Sequence, residues 1–177
     1  MSIKGRLAQY VFSKATTRSR AKRRTVAISN AKTIGILYDA TQPVEVNIIK
    51  KFAESLKSQG KIVTLFGFYN KKKSPLNFIS SLSNEIISRS DLNWIGLPKK
   101  STYAMMANEP FDMLLTLCTW HCLPLLVISA SSKAKFRMGK YYSDAMHCFD
   151  FMVNVENNVP LENFLAQIQM YSQKMNG

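Results

Sequence analysis

Apolar runs of strand length alternate with amphipathic segments along most of the chain. Residues 33–39 form a continuous apolar run, which is typical of a parallel strand buried on both faces. Pro43 begins a segment with helical apolar spacing that ends at Gly60, and a second apolar run covers residues 61–68. We therefore expect a β-α-β unit, whose crossover is almost always right-handed. The predicted core face of its helix is Val46, Ile49, Phe52, Ala53 and Leu56.

The same alternation continues toward the C-terminus. Apolar spacing predicts a helix over residues 76–88, a short strand over 92–96 and a helical turn or two over 101–108. A strand over 148–155 precedes a last helix that begins at Pro160. The predicted inward face of that helix is Leu161, Phe164, Leu165, Ile168 and Tyr171.

The segment after the third predicted helix admits two interpretations. A strand over residues 111–117 is followed, after only five residues, by residues 123–128, which also have the composition of a strand. A parallel crossover usually needs a dozen residues or more, and Pro124 fits the first turn of a helix better than a central strand. We therefore expect a buried helix over 122–134 and a short strand over 136–138. An antiparallel hairpin is the alternative.

These elements predict one α/β domain over residues 31–177, with a three-layer, Rossmann-like architecture and a mostly parallel sheet. Residues 1–30 form a basic N-terminal arm, in which apolar residues at helical spacing predict a short amphipathic helix over 2–14. The arm contributes little to the apolar pattern of the chain. We therefore expect the body to fold without it.

The charge of the chain is concentrated in this arm. Lys and Arg number 24 against 11 Asp and Glu, for a net charge of +13. Residues 1–32 contain nine basic residues and no acidic one, and the first acid is Asp39. Such a segment gains most beside a polyanion, where each neutralised phosphate releases counterions. We expect the arm to bind RNA.

Two other interpretations of the arm stay open, a solvated tail and an anchor to anionic membranes. The apolar face of the predicted helix is narrow and lacks Trp, which disfavours the membrane anchor. Ser and Thr stand between the cations of residues 16–24, and their hydroxyls bind phosphates without selecting a base. This composition favours contact with the RNA backbone.

Basic clusters in the body extend the expected RNA surface. In residues 131–142, Phe136, Tyr141 and Tyr142 stand among cations, so that an aromatic ring could stack on an unpaired base. Strand alternation there would bury Phe136 while Lys135 and Arg137 point outward. The expected RNA-binding residues are Lys4, Arg6, Lys14, Arg18, Arg20, Lys22, Arg23, Arg24, Lys71, Lys72, Lys73, Lys99, Lys100, Lys133, Lys135, Arg137 and Lys140.

Four segments resemble, in order and spacing, a family of small basic α/β proteins of unknown function found in Bacteroidota. They are residues 34–39, 91–96, 111–115 and 132–139. The resemblance covers about residues 30–175 and implies a fold and a lineage. Because Bacteroidota ribosomes carry lineage-specific proteins, it also implies association with ribosomal RNA and ribosomal proteins. The last two segments are also similar to the first half of heptosyltransferase-type glycosyltransferases, but 177 residues leave no room for the second half.

Residues that could catalyse a reaction or bind a metal are few. Cys118, His121, Cys122, His147 and Cys148 are soft metal ligands, but their spacing lacks the close pairs of a structural zinc site and their neighbours are apolar. Buried structural thiols are the simpler interpretation, and a Cys–His nucleophile would need a geometry that sequence adjacency does not supply. Three cysteines cannot all pair internally, which favours a reducing cytoplasm.

Asp39 ends the first predicted strand, where open α/β sheets place their ligands. The turn that follows, residues 40–43, has neither glycine nor lysine and cannot form a phosphate cradle. We expect Asp39 to cap this turn or the helix, with ligand binding as the alternative. The sequence thus predicts a non-enzymatic RNA-binding protein without cofactor, metal, membrane partner or obligate small-molecule ligand. A small α/β enzyme or ligand-binding domain with a crevice near Asp39 is the alternative.

Overall fold

The computed structural model describes Phe12 and residues 22–72 and 84–175. Within the two ranges the chain forms six β-strands and four α-helices. The strands are β1 (Thr33–Asp39), β2 (Ile62–Tyr69), β3 (Asn84–Ser88), β4 (Met113–Leu117), β5 (Phe136–Lys140) and β6 (Phe151–Val153). The helices are α1 (Pro43–Ser58), α2 (Lys100–Asn108), α3 (Leu123–Ser131) and α4 (Leu161–Lys174). Short 3-10 helices lie at Arg89–Asp91 and Met146–Cys148.

The six strands form one sheet in which every neighbouring pair is parallel, in the order β3-β2-β1-β4-β5-β6. Ile36 of the central strand β1 lies opposite Leu65 of β2 and Leu115 of β4. This is the strand order of a doubly wound sheet, in which the chain reverses its direction of travel between β1 and β4. The predicted three-layer α/β fold is confirmed.

Helices cover both faces of the sheet, and each face has its own hydrophobic core. α1 and α4 lie on one face, where Ile49 and Phe164 are fully buried. α2 and α3 lie on the other face, where Leu114 of β4 and Leu125 of α3 belong to the same cluster. Because neither face meets water, β4 and β5 are buried along their whole length.

The segment with two interpretations forms the predicted buried helix, α3, and the short strand β5. The seven residues from Pro124 to Ala130 are all buried. Because this helix is buried on all sides, its sequence does not show the apolar spacing of a helix with one solvent-facing side. β5 pairs with β4 in parallel, which excludes the antiparallel hairpin. The helices predicted at 43–60, at 101–108 and after Pro160 are confirmed as well.

Two predicted elements are wrong. Residues 84–88, the described part of the predicted helix over 76–88, form strand β3. Pairing with β2 outweighs a local spacing that is also compatible with a helix. Residues 92–96 form a turn in which Leu92 makes an isolated bridge with Pro98. The last strand is shorter than predicted, since a 3-10 helix occupies its expected first residue.

Residues of the N-terminal arm pack into both cores. Phe12 is 1% exposed in the core beside α3, and its ring centroid lies 4.7 Å from that of His147. Val26 is buried in the core of the opposite face, and the backbone N–H of Ile28 donates to Ser172 Oγ of α4 at 2.6 Å. The arm therefore does contribute to the core, which argues against the expectation that the body folds without it.

We predict that Phe12→Ala lowers the free energy of unfolding by about 3–5 kcal/mol, the usual cost of truncating a fully buried phenylalanine. Removal of residues 1–30 should destabilise the body at least as much, because Val26 and the Ile28 contact are lost too. Urea unfolding followed by circular dichroism measures both effects. Phe12→Leu is the matched control and should cost clearly less. A truncated chain as stable as the full chain would contradict the docking of the arm.

Candidate functional site

The carboxyl ends of β1 and β4 flank the crevice in which a doubly wound sheet places its ligand. Asp39, which ends β1, is 6% exposed. Its Oδ1 accepts a hydrogen bond from the backbone N–H of Thr41 at 2.8 Å, which confirms the predicted turn cap. Its Oδ2 accepts one from Nε1 of Trp120 at 2.7 Å. Both carboxylate oxygens of Asp39 thus accept hydrogen bonds from the protein itself. The indole of Trp120, in the loop after β4, lies beside this carboxylate.

Lys140, at the carboxyl end of β5, ties the loops of this edge together. It is 3% exposed, and its Nζ donates to the carbonyl oxygens of Thr119 at 2.9 Å and Glu156 at 3.0 Å. Burial lowers the pKa of this ammonium. The prediction that Lys140 contacts RNA is inconsistent with this position, because its donors are used by the backbone of two loops.

The predicted soft metal ligands divide into buried thiols and exposed imidazoles. Cys118, Cys122 and Cys148 are buried, whereas both histidines are exposed. Burial, with a hydrogen bond between Cys118 and Cys122, raises the pKa of the Cys122 thiol well above its ordinary value, and burial raises that of Cys148 to about 12. Among the described residues, no three His, Cys, Asp or Glu side chains converge on a possible metal position.

At the opposite, amino-terminal edge of the sheet, the arm is fixed to the segment that leads into β5. The guanidinium of Arg23 donates to the carbonyl oxygens of Ala134 and, at 2.9 Å, of Ser132. The backbone N–H of Arg24 donates to the carbonyl of Lys135 at 3.0 Å. Burial lowers the pKa of Arg23. Arg23 therefore anchors the arm, while the side chain of Arg24 is exposed.

Asp112, just before β4, gathers three donors at the same edge. Its Oδ2 accepts from the backbone N–H groups of Lys32 at 2.9 Å and Thr33 at 3.1 Å, and its Oδ1 accepts from Lys135 Nζ at 2.6 Å. Burial alone would raise the pKa of this carboxyl. The hydrogen bonds and the charge of Lys135 outweigh burial and lower the pKa to about 2. Lys135 is thus already paired with a carboxylate.

Arg137 of β5 is buried, in contrast to the outward orientation that alternation predicted. It is 6% exposed, and its Nε and Nη2 donate to the two carboxylate oxygens of Asp150 at 3.1 and 3.0 Å. Its Nη1 donates to the carbonyl of Ser129 at 3.3 Å. Alternation fails because helices cover both faces of the sheet, so that both sets of positions along β5 are interior. Arg137 is a structural residue.

Nine exposed cations lie at the two edges of the sheet, whereas Lys50, Lys51, Lys57 and Lys174 are exposed on helices α1 and α4. We define the amino-edge cluster as Lys22, Arg24, Lys32 and Lys133. We define the carboxyl-edge cluster as Lys71, Lys72, Arg89, Lys99 and Lys100. None of these nine side chains takes part in an ion pair with another described residue. Their charge is therefore available to a partner.

Most of the predicted RNA-binding residues that the structure describes are exposed. Seven belong to the two clusters, Arg23 and Lys135 are held by protein acceptors, and Arg137 and Lys140 are buried. Of the two predicted stacking tyrosines, Tyr141 is exposed and Tyr142 is half-buried against the edge of His121. The remaining six lie outside the described residues, namely Lys4, Arg6, Lys14, Arg18, Arg20 and Lys73.

Sequence reasoning missed two exposed residues near the carboxyl-edge cluster. Arg89 was placed directly after a predicted helix, and its position beside β2 depends on the pairing of β3. Trp94 belongs to the segment 91–96, and its exposure of 71% cannot be read from the sequence. An aromatic residue in a segment that also contains Leu92, Ile95 and Leu97 is indistinguishable from a core residue in sequence alone.

The model of a family of unknown function (DUF6913) matches residues 4–174, which include both the arm and the α/β body. No curated protein and no solved structure matches the chain. In the described parts of the chain, no helix has the length and apolar character needed to cross a membrane.

We predict that Asp112 makes stability depend on pH in the acid range. Its pKa is about 2 when folded and has the ordinary value of 3.8 when unfolded, so its contribution is complete above pH 3.8 and is lost as the pH falls through 2. The shift corresponds to about 2 kcal/mol. Asp112→Asn should cost about this much at neutral pH. Urea unfolding across the acid range should show that the free energy of unfolding of Asp112→Asn depends less on pH than that of the wild type.

The exposed Glu54→Gln on α1 is the control for removal of a carboxylate and should leave that pH dependence unchanged. An Asp112→Asn variant with the same pH dependence as the wild type would contradict the assignment.

Proposed function

Because the chain belongs to the DUF6913 family, whose function is unknown, we propose its function from its own residues, as a non-enzymatic RNA-binding protein. The cationic arm and the amino-edge cluster hold RNA phosphates, and the α/β body positions them. The RNA is ribosomal, and the protein is a ribosome-associated component that contacts rRNA and neighbouring ribosomal proteins in the cytoplasm.

The observation that carries this proposal is the attachment of an acid-free segment to a cationic edge. Residues 1–32 hold nine cations and no acid. Through Arg23 and the backbone of Arg24, this segment is bound to the chain before β5, next to the exposed Lys133. Lys32 lies at the same edge, where its backbone is held by Asp112. Cations on a fixed backbone lose less conformational freedom on binding than a free tail.

The cations of this edge fit a phosphate backbone better than they fit a small anion. They lie along an edge of the sheet, on the arm, before β1 and before β5. Arm and edge together present a charge that a polyanion neutralises with release of its counterions. Backbone contacts of this kind position the RNA and depend on its shape more than on its sequence. A folded rRNA offers such a shape.

The contacts of Asp39 favour this proposal over a ligand-binding crevice. A small molecule at the β1–β4 switch point would have to displace the indole of Trp120 and reach a carboxylate that is 6% exposed. It would also have to replace the hydrogen bond from Thr41. Breaking these contacts opposes ligand entry, because a buried carboxylate oxygen left without a donor is costly.

We predict a steep salt dependence of RNA affinity. If the arm and the two clusters engage ~6–10 phosphates, affinity for a duplex RNA should fall ~10³–10⁵-fold between about 50 and 200 mM salt. Fluorescence anisotropy of a labelled hairpin RNA measures this. A verified complex whose affinity changes little with salt would overturn the electrostatic account.

A pair of substitutions in the amino-edge cluster should change that slope by a known amount. Arg24→Ala with Lys133→Ala removes two exposed cations and should reduce the slope of log affinity against log salt by roughly 1.8, since each phosphate contact contributes about 0.9. Affinity should fall by a similar factor for RNAs of different sequence, because these contacts read no base. Arg23 is left unchanged in this variant, since it anchors the arm.

The matched control is Lys50→Ala with Lys51→Ala, which removes the same charge from exposed positions of α1, away from either edge cluster. It should leave the slope close to that of the wild type. Equal slopes for the two double variants would show that RNA affinity depends on the net charge of the protein and not on a defined surface. That result would contradict the proposed interface.

A further inference from the structure

Trp94 lies at the tip of a tight turn at the carboxyl-terminal edge of the sheet. The turn is closed by a hydrogen bond from the backbone N–H of Asn93 to the carbonyl of Leu97 at 2.8 Å. The Asn93 side chain accepts from the N–H groups of Ile95 and Leu97, each at 3.1 Å. Gly96 adopts a φ of +85°, which favours glycine. This bonding holds the indole at 71% exposure on an ordered backbone.

The apolar neighbours of Trp94 point into the protein. Leu97 is buried in the core beside α2 and α3, and Leu92 and Ile95 are partly buried against the same core. Leu92 also pairs with Pro98 across the base of the turn. The turn therefore presents one aromatic ring and no wider apolar patch.

Backbone hydrogen bonds join the base of this turn to segments that carry the carboxyl-edge cluster. The backbone N–H of Arg89 donates to the carbonyl of Lys71 at 3.1 Å, and that of Lys99 donates to the carbonyl of Asp91 at 3.2 Å. These bonds place the ends of three chain segments side by side. Leu92 lies at the base of the turn, and the two residue steps from it to Trp94 span at most about 7 Å. Two nucleotides of a stacked strand cover roughly the same length.

The one carboxylate within this turn and its base is directed inward. Oδ2 of Asp91 accepts hydrogen bonds from the backbone N–H of Ser88 at 2.7 Å and from Ser88 Oγ at 2.9 Å. Asp91 thereby caps the 3-10 helix and makes no ion pair with a described cation. The positive charge beside the exposed ring is left for a partner.

We propose that Trp94 and the carboxyl-edge cluster form a base-stacking site for single-stranded RNA. The indole stacks on one unpaired base, and Arg89, Lys71 and Lys99 hold the adjoining phosphates. Every base has a π-face, so this site is tolerant of sequence, while paired bases are inaccessible to it. The inference rests on the proposed RNA binding and adds to it a second contact, at the edge opposite the arm.

A lipid surface fits this turn less well. Interfacial binding requires a broad apolar face that enters the acyl region, together with cations. Here Leu92, Ile95 and Leu97 are turned into the core, and a single ring remains. Stacking on one base requires only that ring.

The test compares wild type, Trp94→Ala and Trp94→Phe for binding to a short oligouridylate and to a fully paired RNA duplex at low salt. Loss of a stacked base should weaken oligouridylate binding roughly 5- to 150-fold in Trp94→Ala. Trp94→Phe keeps a ring and should retain most of the affinity. Duplex affinity should be equal in all three, because the duplex offers no unpaired base to Trp94. Met170→Ala, a change at an exposed apolar residue of α4, is the control and should bind like the wild type.

Intrinsic fluorescence gives a second readout, because the chain has two tryptophans, Trp94 and Trp120. Oligouridylate should quench the wild type and leave the emission of Trp94→Phe, which comes from Trp120, unchanged.

If Trp94→Ala binds oligouridylate as tightly as the wild type while the duplex still binds, the stacking site is wrong and the proposed function stands. If neither RNA binds at low salt, the proposed function is overturned together with this inference. If vesicles of equal parts phosphatidylcholine and phosphatidylglycerol shift the emission of Trp94 and oligouridylate does not, the site is a membrane contact and the RNA inference is overturned.

Discussion

A parallel sheet covered by helices on both faces leaves almost no interior position for an unpaired charge, since desolvating an ion costs several kcal/mol. β5 illustrates this constraint. Arg137 enters the interior only with the bidentate partner Asp150, and Lys140 only with its ammonium on the carbonyls of Thr119 and Glu156. Asp39 is buried under the same condition, with a donor on each oxygen. The charged groups of the interior are therefore bonded within the protein, and Asp39 at the switch point is bonded to Thr41 and Trp120.

Nine exposed cations lie instead at the two edges of the sheet, where strands begin and end. At the amino-terminal edge, the arm adds its own charge to Lys32 and Lys133, because Arg23 is bound by backbone carbonyls before β5. At the carboxyl-terminal edge, backbone hydrogen bonds join the turn around Trp94 to segments that carry exposed lysines and Arg89. The protein thus offers two separate cationic surfaces. The amino-terminal surface suits a phosphate backbone, and the carboxyl-terminal surface with Trp94 suits an unpaired strand with an accessible base.

The sequence predicted the fold where burial produces a clear pattern. The apolar run of β1 and the helical spacing of α1 and α4 have direct counterparts in the structure, and the shortness of the connection after β4 was enough to identify α3. β3 could not be recognised, because pairing with β2 decides its conformation and leaves no local trace. The roles of Arg137 and Lys140 were missed for a different reason. Alternation assumes a solvent-facing side, and the continuous apolar runs of this chain already indicated a sheet without one. The anchoring by Phe12 and the exposure of Trp94 depend on contacts between distant segments, which a single sequence does not reveal.

In the proposed function, two cationic edges of a non-enzymatic α/β protein bind ribosomal RNA. Its most direct test is sedimentation of the endogenous protein from cell lysate through sucrose gradients, at low salt, at high salt and after ribonuclease treatment. The account predicts that the protein travels with ribosomal particles at low salt, returns to the top of the gradient at high salt and is released by ribonuclease. A protein that stays at the top at low salt, or that remains on large particles after the RNA is digested, would contradict it.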